Sequence, residues 1–134
     1  MIDIYDEVYT EVAKALRSAY PGIFVTGDEE SFPPKKLPCV AVIYADNYFP
    51  RERKDSSLTE KYSAVTLVVR VYTSRESGKR KQAREIAQVA DEVLTKLNFM
   101  RDGFAPQTTL ANGTIFWTAA RYTAETDGTN IYGR

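Results

Sequence analysis

A chain of 134 residues with 18 Lys plus Arg against 18 Asp plus Glu is the size of one domain and carries no basic excess, which argues against a general polyanion binder. It has no His, so the commonest general base and metal ligand is missing, and its single Cys39 excludes an intramolecular disulfide. No apolar run approaches the roughly 20 residues of a membrane helix, and "MIDIYDEVYTEV" lacks a signal peptide's basic-then-apolar pattern, so a cytoplasmic single domain over 1–134 is expected.

The spacing predicts a helix over 3–19, with Ile4, Val8, Val12, Ala15, Leu16 and Ala19 as its apolar stripe and Asp3 as its cap. Asp6, Glu7 and Glu11 suit the positive end of its dipole, Lys14 and Arg17 the negative end, and Pro21-Gly22 stops it. A short strand follows at 23–26, then a Pro-rich loop. "CVAVIYA", 39–45, is apolar throughout and reads as a strand buried on both faces. A polar loop is expected over 46–57. A strand is then predicted over 59–73, with Val65, Leu67, Val69 and Val71 on one face. At about 15 residues it exceeds the usual five or six, so it is expected to project as one arm of a hairpin or to pair outside the chain.

A second helix is predicted over 79–97, with Ala83, Ile86, Ala87, Ala90, Val93, Leu94 and Leu97 as its stripe, Ser77 as its cap and Asn98 in a left-handed closing position. A short strand over 99–103 is expected to turn at Asp102-Gly103. Asn112-Gly113 marks a hairpin, and "TIFWTAARYTAET" a long strand that Asp127-Gly128 turns into 130–132. The fold class is therefore α+β: a mainly antiparallel, mixed sheet with both helices on one face and a protruding long-strand hairpin.

Catalytic chemistry is poorly provided for. Cys39 follows Pro38 into an apolar strand and reads as a buried small hydrophobe. Asp28, Glu29 and Glu30 lack the alternation of a calcium loop and read as a solvated acidic loop. Glu125 and Asp127 flank a turn and read as turn chemistry. No Gly pattern makes a phosphate loop. No catalytic, metal or cofactor site is assigned, and a non-enzyme is expected. The basic run "SRESGKRKQAR", 74–84, places Arg75, Lys79 and Arg80 against the start of the second helix, where positive charge opposes the dipole. DNA, an acidic surface on a neighbouring copy, or solubility alone each account for it.

Taken together, the amphipathic first helix, the loop into "LPCVAVIYA", the strand "EKYSAVTLVVRVYTS" with the helix "KRKQAREIAQVADEVLTKLNF" after it, and above all the close "ARYTAETDGTNIYGR" resemble the tail-terminator and tail-completion proteins of long-tailed bacteriophages and related prophages. The resemblance covers nearly the whole chain as a pattern of elements. It implies a self-associated ring, hexameric in such proteins, that caps the tail tube in the virion neck, ends polymerisation and offers the head connector a docking surface. It implies no cofactor, with DNA passing through the lumen without sequence-specific contact. It carries no functional residue over by motif, but it implies that the terminal strand, Ile131 and Tyr132, lies beside a neighbour. Tyr48, Phe49, Arg51, Arg53 and Lys54 combine anchor-type aromatics with cations and are expected at an interface with another subunit or the tube protein. The alternatives of another class are a small nucleic-acid-binding module, using 75–84 and the Tyr-rich sheet, and an enzyme using carboxylates alone. A neighbouring neck or head–tail connector role also fits the phage reading.

Overall fold

The computed structural model describes residues 3–27, 37–48, 63–74, 79–110, 115–128 and 130–132. Helix α1 spans Tyr5–Ala19 and buries Val8, Val12, Ala13 and Leu16. Ala15 and Ala19, expected in the stripe, are half-buried and exposed. The tyrosines account for the rotation. Tyr5 Oη donates 2.7 Å to the Val42 carbonyl and Tyr9 Oη donates 3.0 Å to the Val25 carbonyl. These bonds roll the helix toward Ala13. Ile4 holds the N-cap position, and Asp3 contributes from one residue earlier: its carboxylate accepts the Tyr5 N–H at 2.9 Å.

Strand β1, Phe24–Thr26, runs parallel to β2, Cys39–Tyr48. β2 is antiparallel to β3, Ser63–Ser74. Helix α2, Lys79–Lys96, leads to β4, Met100–Leu110; β5, Ile115–Thr126, and β6, Ile131–Tyr132, complete the chain. The sheet order is β1-β2-β3-β5-β4, antiparallel except at β1, with β6 also on β5. β3 pairs along all of β5, and β4 takes β5's other side only as far as Thr123. β6, at Glu125 and Thr126, therefore continues the row that β4 leaves short.

The fold is α+β with both helices on one face, as the sequence predicts. Val65, Leu67, Val69 and Val71 share a core with Val8, Val12 and Leu16 of α1 and with Ala83, Ile86, Ala90 and Leu94 of α2; Val93 and Leu97 pack at its margin. β5 adds Thr118, Ala120, Tyr122 and Ala124 on the same face, because its burial alternates with period two. α2 closes as expected. Asn98 has φ +69°, and the Phe99 N–H reaches back to the Leu94 carbonyl at 2.9 Å while the Asn98 N–H reaches Thr95 at 3.0 Å. That is a Schellman closure, and Phe99 and Leu94 are both buried in the core.

Several expectations change. β2 is buried on both faces only over Cys39–Val42, and it runs on to Tyr48 where a loop was expected from 46. Asp102-Gly103 is no turn. It sits inside β4 at a register shift between Arg101 and Gly103, and the Asp102 carboxylate lies 3.4 Å from Arg121 Nε. The described part of β3 does not outrun the sheet, because β5 matches it residue for residue from Ser63 to Ser74. The hairpin tip expected around 59–62 lies outside the described residues, as do Ser77 and Asn112-Gly113. The hairpin itself is present, with Leu110 paired to Ile115.

Candidate interaction surfaces

The expected interface residues fall at two ends of the sheet. Tyr48 pairs with Ala64, Ala64 with Glu125, and Glu125 with Tyr132, so β2's last residue and β6 share one cross-strand row. Three strand steps separate them, about 14 Å at roughly 4.8 Å each. Lys79 and Arg80 begin α2 just beyond Ser74, at the opposite end, where Ser74 pairs with Ile115. Phe49, Arg51, Arg53, Lys54 and Arg75 lie outside the described residues.

At the Tyr48–Tyr132 end, a groove of about 630 Å³ opens between α1, the end of α2 and β6. Its floor is apolar: Val8, Leu97 and Ile131. Its α1 rim is acidic: Asp6, Glu7 and Glu11. The Thr10 hydroxyl on the same rim donates to the Asp6 carbonyl at 2.7 Å, so its proton is committed to the backbone. Glu11 and Leu97 continue the groove into a trough of about 340 Å³ between the antiparallel helices, where Lys14 and Lys96 add positive charge. Ile131 is the expected interface residue that this groove includes. The Asn98 side-chain amide donates to its carbonyl at 3.2 Å and ties β6 to the end of α2.

A smaller pocket, about 210 Å³, lies between α2 and the sheet among Arg84, Gln88, Asp91, Arg101 and Tyr122. Tyr122 Oη donates 2.7 Å to Asp91 Oδ1, and Arg101 Nη1 is 3.7 Å from the same oxygen. Burial foremost, then the bond to Asp91, pushes the Tyr122 phenol well above its ordinary 10.0, against the opposing pull of Arg101. A phenol held neutral this firmly is a structural donor. Burial likewise pushes the Cys39 thiol up to about 11, which makes it a poor nucleophile at neutral pH. Among the described residues no three His, Cys, Asp or Glu side chains gather as a metal site, and no helix is long and apolar enough to cross a membrane. Asp28, Glu29 and Glu30 lie outside the described residues.

The sheet face away from the helices carries Ile43, Val68, Arg70, Tyr72 and Trp117, all half-buried. Tyr72 and Trp117 stack with ring centroids 6.5 Å apart, and the Arg70 guanidinium lies 5.6 Å from the indole centroid.

Sequence reasoning missed the groove: it read Asp6, Glu7 and Glu11 as partners of the helix dipole and as an acidic helix start that could meet the basic run of another copy, without the apolar floor beside them. One signal was present: Glu7 and Glu11 are like charges at i and i+4, an arrangement that weakens an isolated helix. The apolar floor comes from three elements far apart in sequence, which no local pattern reveals. The chain matches no protein-family model, and no curated protein matches it either.

Proposed function

We propose that this chain is a structural protein of a long-tailed phage or prophage, which assembles into a ring on the end of the tail tube, stops tube growth and presents the surface to which the head connector joins. The observation that carries the reading is the closing hairpin. The chain's last strands resemble those of tail-terminator proteins, and here they are ordered by a tight set of polar contacts. Asp127 Oδ1 accepts the Asn130 N–H at 2.7 Å, Thr126 Oγ1 donates 2.8 Å to the Asn130 carbonyl and accepts the Gly128 N–H at 3.0 Å, and Gly128 takes φ +94°. The order of elements and the face on which both helices lie support the same reading. A neighbouring neck position would use the same surfaces. In this role the chain needs no catalytic group, metal or cofactor, and acts in the virion neck after assembly in the host cytoplasm.

The test is tube length. Purified chain added to polymerising tail tube protein shortens the tubes seen by electron microscopy and leaves ring-like density at one end, and light scattering gives a multimer mass, a hexamer in the resembled family. Tubes of unchanged length and a monomeric mass with and without tube protein overturn the proposal.

A second reading, binding of single-stranded nucleic acid, draws on the Tyr72–Trp117–Arg70 cluster, because stacked aromatics beside a cation are a common platform for bases. The chain's only Trp reports on it directly. Salt-sensitive quenching of Trp117 fluorescence by an oligonucleotide favours this reading, and no change over a micromolar range removes it.

A further inference from the structure

We propose that the acid-rimmed groove between α1, Leu97 and Ile131 receives residues 48–54, "YFPRERK", of a second copy of this chain, and that this contact joins neighbours in the ring. The inference rests on the ring reading above and names its joint.

The groove and the segment are complementary in charge and in polarity. The groove offers three carboxylates, Asp6, Glu7 and Glu11, above an apolar floor of Val8, Leu97 and Ile131. The segment offers two aromatics, Tyr48 and Phe49, followed by Arg51, Arg53 and Lys54 with Glu52 between them, a net charge of about +2. Aromatic area suits the floor and the cations suit the rim. The other basic stretch, at the start of α2, has cations and no aromatic side chain: "KRKQAR", 79–84.

Position favours the same choice. A head-to-tail contact makes a ring if the rotation it imposes closes and an open helix if it does not, and a small step between donor and acceptor favours closure. Tyr48, where the segment begins, shares a cross-strand row with Tyr132 of β6, which borders the groove, and the two are separated laterally by β3 and β5. The start of α2 lies at the far end of β3, ten residues or about 33 Å along the strand from the Ala64 row. Pairing it with the groove would step each copy along that direction.

The experiment uses the full chain and two charge-reversed variants. One carries Arg51→Glu and Arg53→Glu, the other Glu7→Lys and Glu11→Lys. Circular dichroism verifies that each is folded. Native mass spectrometry and light scattering then read assembly. Wild type is expected to form a ring. Each variant is expected to need at least a tenfold higher concentration to assemble. Mixed together, the two variants offer both contacts, the native pairing of one variant's segment with the other's groove and the reversed pairing of the remaining two, and assemble into rings in which the variants alternate 1:1. A chain carrying all four substitutions restores the charge pairing in reverse and recovers the ring. If either variant assembles as wild type does, the contact is wrong while the ring stands. Variants that stay monomeric when mixed mean that the segment seats in its own subunit's groove or elsewhere, and also overturn it. A wild-type chain that stays monomeric with and without tube protein overturns the ring reading itself.

Discussion

Asn98 donates its side-chain amide to the carbonyl of Ile131 while its own backbone sits at φ +69°. One residue thus ends α2, starts the path into β4 and holds β6 in line with β4. The two jobs separate by substitution. Asn98→Gly keeps the left-handed conformation and loses the amide bond, so it costs about 1 kcal/mol. Asn98→Ala loses the bond and also strains the backbone, so it costs about 2 to 3 kcal/mol. Urea denaturation reads both. Equal losses, or a larger loss for Gly, contradict this division. Because Ile131 floors the groove, Asn98→Gly also weakens ring assembly more than its stability loss suggests.

The sheet's two faces give the second test. Val69 is 2% exposed and faces the helices, and Val68, one residue earlier, is half-buried on the other face beside Arg121. Val69→Asp puts an unpaired charge in the core at a cost of several kcal/mol, enough to unfold a marginal domain. Val68→Asp gains Arg121 as a cross-strand neighbour and loses about 1 kcal/mol. Soluble expression and thermal melts of the pair decide it. A folded Val69→Asp variant, or an unfolded Val68→Asp one, shows that the faces are reversed.

How far these features were legible in the sequence depends on how local their causes are. The strand faces were readable because a period of two is set by the backbone alone. Asn98 was readable because few side chains besides Gly tolerate positive φ. Asp-Gly was ambiguous. At 127–128 it turns the chain, because Thr126 and Asn130 supply the bonds that close a tight loop. At 102–103 the same dipeptide stays in a strand, because Arg121 on the neighbouring strand pairs with Asp102 and the extra residue is absorbed as a bulge. The partner that decides between the outcomes is three residues from the Asp in one case and nineteen in the other. The groove was hidden for the same reason.

Tyr5 gives the third test. Its hydroxyl lies against Gly27, where a Cβ would collide with it, and bonds to the Val42 carbonyl. Tyr5→Phe removes the bond and spares the ring contacts with Tyr9 and Tyr44, at a cost of about 1 kcal/mol. Gly27→Ala displaces the whole side chain and costs more. In Gly27→Ala/Tyr5→Phe the clash is relieved, so the double variant is more stable than the sum of the single losses predicts. Strict additivity in urea denaturation refutes the coupling.

Alkaline pH gives the last. Burial pushes the Cys39 thiol from its ordinary 9.0 to about 11, and burial with the bond to Asp91 pushes the Tyr122 phenol above 10.0. Both groups are neutral when protonated, and the fold favours that form. Their contribution is therefore complete below the unfolded values, near 9.0 and 10.0, and is lost as pH rises through the folded ones. The urea midpoint should vary little between pH 7 and 8.5 on their account and fall above about pH 9, each group adding a slope of up to about 1.4 kcal/mol per pH unit between its two values. Tyr122→Phe leaves Asp91 without its donor and costs about 1 to 3 kcal/mol at pH 7. Above pH 10 the difference between variant and wild type narrows, because the variant has no phenol to ionise on unfolding. A gap that stays constant from pH 7 to 11 would show that Tyr122 titrates alike in the folded and unfolded chain.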